Sequence, residues 1–307
     1  VAKLDSGEVE SDSLADDSKQ RLTEQQLELL EFIYAYRFVT TKQVQTLLNK
    51  KQIQQAQQRL NTLLAKQYIG RRFTSEDRLL GRYATYFLLP DGLKLLKFFG
   101  HPKALKNMRK DATSSESFME HCIAICDVAQ DLQRVYRDGL RIRCSTKSEL
   151  MRHDFDDGDD DDYEPSYTSF PQPLPDMYID YMDTGDGWED YLLEVWHDTV
   201  PFWVYRKRIK YYIEYLDEDE RKDVFGDQMP PVLLVCDTST LQRRVQRYIK
   251  RIFDEIYEDE LRFLVTNRQI LAGADNDTGI WTVVGEEKNE VLKLSDISVI
   301  SAHLMRP

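Results

Sequence analysis

Cysteine is scarce in this chain. The 307 residues hold four, at Cys122, Cys126, Cys144 and Cys236, which is too few for a disulfide framework at this length and fits reduced thiols in a cytoplasmic protein. Cys122 and Cys126 share a helix face at i,i+4, but no second Cys or His pair has ligand spacing, so zinc is not expected. The neighbouring His121 then reads as a structural helix histidine. No run approaches the ~18 apolar residues of a membrane span, so no membrane partner is expected. The acidic opening has no apolar stretch of the kind a secretory leader needs. The motifs GxxxxGK[ST], GxGxxG and GxSxG are missing, which leaves a P-loop ATPase, a Rossmann enzyme and an α/β-hydrolase without support. Residues 1–20 contain no aromatic side chain and are rich in acid and serine, the composition of a disordered segment. No internal repeat is visible.

The net charge of −13 is unevenly spread. Residues 19–110 hold 18 Lys and Arg against six acids, whereas residues 111–307 hold 22 against 42. A basic first third on an acidic remainder points to two domains with different partners, the first with the electrostatic footprint of a nucleic-acid binder.

Periodicity divides the chain in the same place. Thr23 and Gln26 form a capping box, and Leu27, Leu30, Ile33 and Tyr34 continue as one apolar stripe to about Arg37. Phe38-Val39-Thr40 breaks it. Thr40 or Thr41 caps a short second helix, and a third runs from about Gln52 to Gln67 with Ile53, Ala56, Leu60, Leu63 and Leu64 on one face. Two strands, Tyr68–Phe73 and Tyr83–Leu89, follow with a charged loop between them, and a short helix begins at Pro90. Three helices and a hairpin form the order of a winged helix-turn-helix. The second half alternates: a helix over 118–136, strands at 140–145, 177–182 and 191–196, a helix from Pro201, a strand at 232–236, a helix over 241–257, and strands at 261–266 and 279–284. The expected class is α+β, with a winged helix-turn-helix at 21–101, a polar linker at 102–117 and an α/β domain at 118–307. Within the latter, residues 154–164 carry eight acids in eleven positions and, with the prolines up to 175, read as a mobile acidic loop.

On a 100° wheel the third helix turns Lys51, Gln54, Gln55, Gln58 and Thr62 away from its apolar side, with Arg59 on the flank. Gln pairs bidentately with adenine in the major groove, and Lys and Arg take phosphate or guanine. Arg71, Arg72, Arg78 and Arg82 fall on the hairpin, where a wing meets phosphate or the minor groove. Duplex DNA is therefore the expected partner, bound by a homodimer, although a polar helix face can also be only a solvated one. In the acidic domain Asp176 opens one strand and Glu194 lies on the next. Two carboxylates on adjacent strands, with Glu120 or Glu149 as a third ligand and the Val195 carbonyl, can hold Mg²⁺ or Mn²⁺ in a nuclease-like site. The water-orienting lysine belongs two residues after the glutamate, where Trp196 stands; Lys210 and Arg208 on the following helix are the candidate replacements. Without that lysine no cofactor is expected, and Asp176→Asn or Glu194→Gln is expected to relieve carboxylate repulsion.

The order of these parts resembles the replication-relaxation family of plasmids, phages and integrative elements. The resemblance is carried by Leu29–Ile33 with Thr40–Val44, Arg59–Leu63, Tyr86–Gly92, Glu120-His121, Glu149, Pro175-Asp176, Leu193–Val195, Arg208–Tyr212 and Pro231–Val235. It implies a winged helix fused to a PD-(D/E)XK-like (restriction-endonuclease-like) domain. It also implies a role in plasmid replication, relaxation or mobilisation, with a replication protein, a relaxase or another mobile-element protein as partner and a cytoplasmic, plasmid- or nucleoid-associated location. Two departures weaken a catalytic role. The family usually has Glu-x-Asp where Trp196 ends the motif here, and a lysine where Arg208 stands. The expected function is thus sequence-specific DNA binding with a non-catalytic nuclease-like domain. The alternatives are a metal-dependent endonuclease or nickase using Asp176 and Glu194, and a transcriptional repressor whose acidic domain senses a partner or ligand.

Overall fold

The computed structural model describes residues 22–99, 106–136, 141–151, 170–182, 188–216, 225, 229–256, 261–275, 278–285 and 291–293. The opening segment 1–20, the acidic run 154–164 and residues 183–187 lie outside the described residues. The molecule is mixed α+β, with a three-stranded and a seven-stranded sheet. No helix among the described residues is long and apolar enough to cross a membrane.

The first helix, α1 (Glu24–Tyr36), starts at the capping box of Thr23 and Gln26 and buries Leu29, Leu30, Ile33 and Tyr34. Leu27 lies at the rim of that core. Val39-Thr40, expected only to interrupt the helix, forms a short strand, β1, antiparallel to β3. The cause is local: an N-cap residue takes extended backbone, and Thr40 caps α2 (Thr41–Leu47) in a second capping box with Gln43. α3 (Ile53–Ala65) buries Ala56, Leu60 and Leu63. β2 (Ile69–Arg72) and β3 (Thr85–Leu88) pair antiparallel, Ile69 opposite Leu88 and Arg72 opposite Thr85. The connection, expected as a charged loop, contains a short helix, α4 (Ser75–Leu79), because Thr74 and Asp77 cap it reciprocally. α5 (Pro90–Phe98) closes the module. A Cβ on Gly92 would lie 2.2 Å from the carbonyl oxygen of Tyr68, so only glycine lets α5 approach the start of β2 so closely.

The lysine-rich stretch expected as a linker is partly built into the fold. Lys106–Thr113 is a 3-10 helix. Its Met108 is buried in the core of the first module, and its buried Asp111 pairs with Arg37 at the end of α1. Polar composition alone does not reveal this docking, because one methionine and one ion pair carry it.

α6 (Glu116–Val135) leads into the large sheet: β4 (Arg141–Thr146), α7 (Lys147–Leu150), β5 (Met177–Met182), β6 (Trp188–Trp196), α8 (Phe202–Tyr215), β7 (Val232–Cys236), α9 (Ser239–Ile256), β8 (Phe263–Asn267), α10 (Arg268–Gly273), β9 (Trp281–Val283) and β10 (Val291–Leu292). The spatial order is β10-β9-β8-β7-β6-β5-β4. β4, β5 and β6 are antiparallel, β6, β7 and β8 are parallel, and β9 and β10 complete the sheet antiparallel. α6 and α10 cover one face, against Met177, Ile179, Leu193, Val195, Leu233 and Leu264. α8 and α9 cover the other, against Leu192, Trp196, Val232, Leu234 and Phe263. β7 and β8 are buried on both faces and accordingly show nearly continuous apolar sequence rather than alternation.

The basic module and the sheet domain pack directly together through α6. Buried Gln43 donates from Nε2 to the Ile123 carbonyl (2.8 Å) and to Asp127 (2.7 Å), and Gln130 returns a bond to the Gln43 carbonyl (2.8 Å). Thr146 Oγ1 donates to the Ala35 carbonyl at 2.7 Å. Cys126 of α6 lies within the core of the first module.

Candidate functional site

Two surfaces concentrate polar chemistry: the outward side of α3, and a buried carboxylate cluster at the β5–β6 step. On α3 the centre of the apolar back is covered, with Ala56, Leu60 and Leu63 at 0% exposure, and Ile53 and Leu64 at its two ends are half-buried. Gln54, Gln55, Gln58, Arg59 and Thr62 all face solvent, and so does Lys51 just before the helix. The Thr62 hydroxyl is turned back to the Gln58 carbonyl, 3.1 Å away. The four hairpin arginines separate. Arg71 and Arg78 are exposed, Arg78 on α4 rather than on a strand. Arg72 donates to the Ser114 carbonyl (2.8 Å), and Arg82 reaches Glu116 at 3.5 Å. Those two are therefore turned toward the start of α6.

Sheet register builds the second site. Met177 lies opposite both Thr146 and Leu193, so Asp176, Lys147 and Glu194, each one residue from those positions, converge. Asp176 is buried. Its Oδ2 accepts the Val195 N–H (2.8 Å) and its Oδ1 accepts Lys147 Nζ (2.7 Å) and His121 Nε2 (3.1 Å). Burial works to raise this carboxyl, but the charges and hydrogen bonds of Lys147 and His121 hold it well below the usual carboxylate range. The same pairing raises Lys147 and His121 despite their burial.

Glu194 is neutralised separately. Its Oε1 accepts Arg208 Nε (2.8 Å) and Tyr212 Oη (2.6 Å), and Arg208 NH2 bonds both to that oxygen and to Tyr212. Arg208 and Tyr212 are four residues apart on α8, hence on one helix face. The other terminal nitrogen, Arg208 NH1, is buried without a partner among the described residues. Burial and Glu194 together push the Tyr212 hydroxyl well above its ordinary value, so Tyr212 is a donor rather than a phenolate.

A polar chain continues from this cluster. His121 Nδ1 lies 2.9 Å from His197 Nε2, and His197 Nδ1 lies 3.0 Å from Asp237. Asp237 faces Arg268 (3.5 Å), which bonds Asp127 (2.9 Å), the acceptor of Gln43. Each imidazole turns one nitrogen to a carboxylate and the other to its neighbour. A neutral imidazole carries a single N–H. If both bonds to ionised carboxylates use that N–H, two bare nitrogens face each other. One additional proton shared by the pair satisfies all three contacts.

Several expected roles are corrected. Lys210 is exposed and does not face the carboxylates; it lies two residues, about 200° around the helix, from buried Arg208. Lys147 supplies the ammonium instead. Glu149 is occupied as the cap partner of Thr146 (2.8 Å), and Glu120 is exposed, so neither stands beside Asp176 as a third ligand. Val195 presents its N–H to Asp176. Among the described residues no three His, Cys, Asp or Glu side chains form a metal-holding group. Trp196 stacks on Tyr205, with ring centres 4.3 Å apart and planes 9° apart, and so packs where the lysine of a nuclease motif is expected. Lys147, His197 and Asp237 were not singled out in the sequence; only the strand register of β4 against β5 signals the first of them.

Comparison with curated proteins gives no match, and neither does comparison with solved structures. A family model does match: replication-relaxation, over residues 30–227. That span runs from α1 through β1–β3 and α6 to the Asp176–Glu194 cluster and α8, more than half of the chain, and the protein belongs to the replication-relaxation family.

Proposed function

We propose that this protein is a sequence-specific duplex-DNA-binding protein of a mobile genetic element, acting in replication or mobilisation, and that its nuclease-like domain does not cut. The observation that carries the reading is α3, whose Ala56, Leu60 and Leu63 are fully buried and whose Ile53 and Leu64 are half-buried, while Gln54, Gln55, Gln58 and Arg59 stand in solvent. The element order α1–α2–α3 followed by the β2–β3 hairpin supports a winged helix with α3 in the major groove. Arg71 and Arg78 are then the wing residues available for phosphate, while Arg72 and Arg82 hold the wing against α6. A homodimer on a two-fold site suits such a module. The order α6-β4-β5-β6-α8-β7, with three antiparallel strands and a fourth parallel to the third, supports a PD-(D/E)XK-like core. Lys147 and Arg208 neutralise the two carboxylates from within, which favours a scaffold for assembly with a replication or relaxase partner over a metal-dependent cutter.

The test is selection of preferred duplexes by the full-length protein, followed by Gln58→Ala. The variant is expected to lose about 1–3 kcal/mol at the preferred site and little on unrelated sequence. Equal weakening on every duplex would show that α3 does not read bases. A second reading rests on the 2.7 Å contact of Lys147 with Asp176, which sets an ammonium where a nuclease needs one. Supercoiled plasmid with Mg²⁺ or Mn²⁺ is expected to stay intact. Nicking that disappears in Asp176→Asn and in Lys147→Met would establish a nuclease with a relocated lysine.

A further inference from the structure

Within the acidic sheet domain, α9 is strongly basic. From Ser239 to Arg251, α9 contains five Lys and Arg and no acid, and Arg243, Arg244, Arg247, Lys250 and Arg251 are all exposed. Among the described residues only Arg251 has an acidic partner, Glu255 at 3.9 Å. Arg243, Arg247 and Lys250 follow one another at i, i+4 and i+7 and so lie on one stripe, about 10 Å long at 1.5 Å per residue. That stripe forms one wall of an open groove of about 590 Å³, whose other wall is Thr282–Gly285. The arginines are oriented. Nε of Arg243 donates to the Ser239 carbonyl and Nε of Arg247 to the Arg243 carbonyl, each at 3.2 Å. Each guanidinium is thereby laid along the helix with its terminal nitrogens available.

We infer that this α9 groove is a second DNA contact, which grips the phosphate backbone of a duplex segment outside the site that α3 reads. The inference rests on the DNA-binding reading above and extends it to the domain whose overall charge opposes it. Charge complementarity selects the occupant. Planar guanidinium forks match phosphate oxygens in pairs, and about 10 Å of stripe parallels about three phosphates of one strand at ~3.4 Å of rise each. Thr240 and Gln246 line the same groove and add the neutral donors that accompany such contacts.

The experiment uses the full-length protein with Arg243, Arg247 and Lys250 all changed to Gln. All three are exposed, so an unchanged melting temperature is expected and checks the fold. Binding to a long duplex that carries the preferred site is measured against salt concentration. The slope of log affinity on log salt is expected to fall by about 2–3, close to 0.9 for each phosphate contact removed, with sequence preference unchanged. An unaltered slope in a wild-type-like fold would overturn the inference while leaving the α3 reading intact. Loss of binding in the triple variant together with no effect of Gln58→Ala would overturn the α3 reading and keep this contact. Equal competition by polyglutamate and by non-specific duplex, at matched charge, would show an acidic-protein site and overturn the DNA assignment.

Discussion

Arg208 and Glu194 show how a single side chain changes the chemistry of a site. Both are nearly buried and share a hydrogen-bonded triangle with Tyr212. Removing one charge strands the other in a poorly solvated position, which costs about 3–5 kcal/mol. Arg208→Met is therefore expected to lower stability by about that amount. The double variant Arg208→Met, Glu194→Gln is expected to recover much of it, as chemical denaturation of the four-member cycle would show; simple additivity would contradict the pairing. The same logic reverses the expectation that Asp176→Asn relieves carboxylate repulsion. Asp176 is held by Lys147 and His121, so its neutralisation removes attraction. The pH dependence follows from the two directions of shift. His121 is raised above about 6.5 by Asp176. It contributes stability that is complete below that value and is lost as pH rises through its folded pKa. Asp176 is depressed, so its contribution is complete above about 3.9 and is lost as pH falls through its own folded value. The melting temperature is expected to decline as pH rises above about 6.5, and His121→Asn is expected to flatten that limb. A wild-type profile flat through that range would contradict the attraction of Asp176 for His121.

At the scale of elements, capping chemistry explains most of what the chain does locally. Thr23, Thr40, Thr74 and Thr146 each begin a helix in a reciprocal capping box. The first was legible from its spacing to Gln26 and from the apolar stripe that follows. The box at Thr74 was not, because the five-residue α4 has no buried residue and hence no periodicity to find. Glu149 shows the same ambiguity from the other side. A carboxylate at this spacing is a candidate metal ligand on paper and a cap in the structure. α5 depends on a close backbone approach. Gly92→Ala places a methyl group against the Tyr68 carbonyl and is expected to cost about 1–3 kcal/mol through forced displacement, with DNA affinity falling only as the module unfolds. Melting curves unchanged by the substitution would show that α5 tolerates withdrawal from β2.

At the scale of the whole molecule, α6 belongs to both halves. Cys126 lies in the core of the basic module, and Ala124, Val128, Ala129 and Leu132 lie in the core of the sheet domain. One half cannot release this helix without exposing the other. Thermal unfolding is accordingly expected as a single calorimetric transition, with the calorimetric and van't Hoff enthalpies equal; two resolved transitions would separate the halves. The hydrophobic periods and turn residues of the sequence determined by themselves the helices α1, α2, α3, α5, α6, α8 and α9, the paired strands β5 and β6, the two apolar parallel strands and the division between basic and acidic halves. Each of these is set by neighbours a few residues apart. Only the tertiary structure decided that Lys147 rather than Lys210 meets Asp176, that Arg208 closes on Glu194, that Arg72 and Arg82 turn toward the start of α6, and that His121 joins His197. Those contacts join residues from 14 to 76 positions apart, and their formation depends on strand register and on which helix covers which face, neither of which a local pattern encodes.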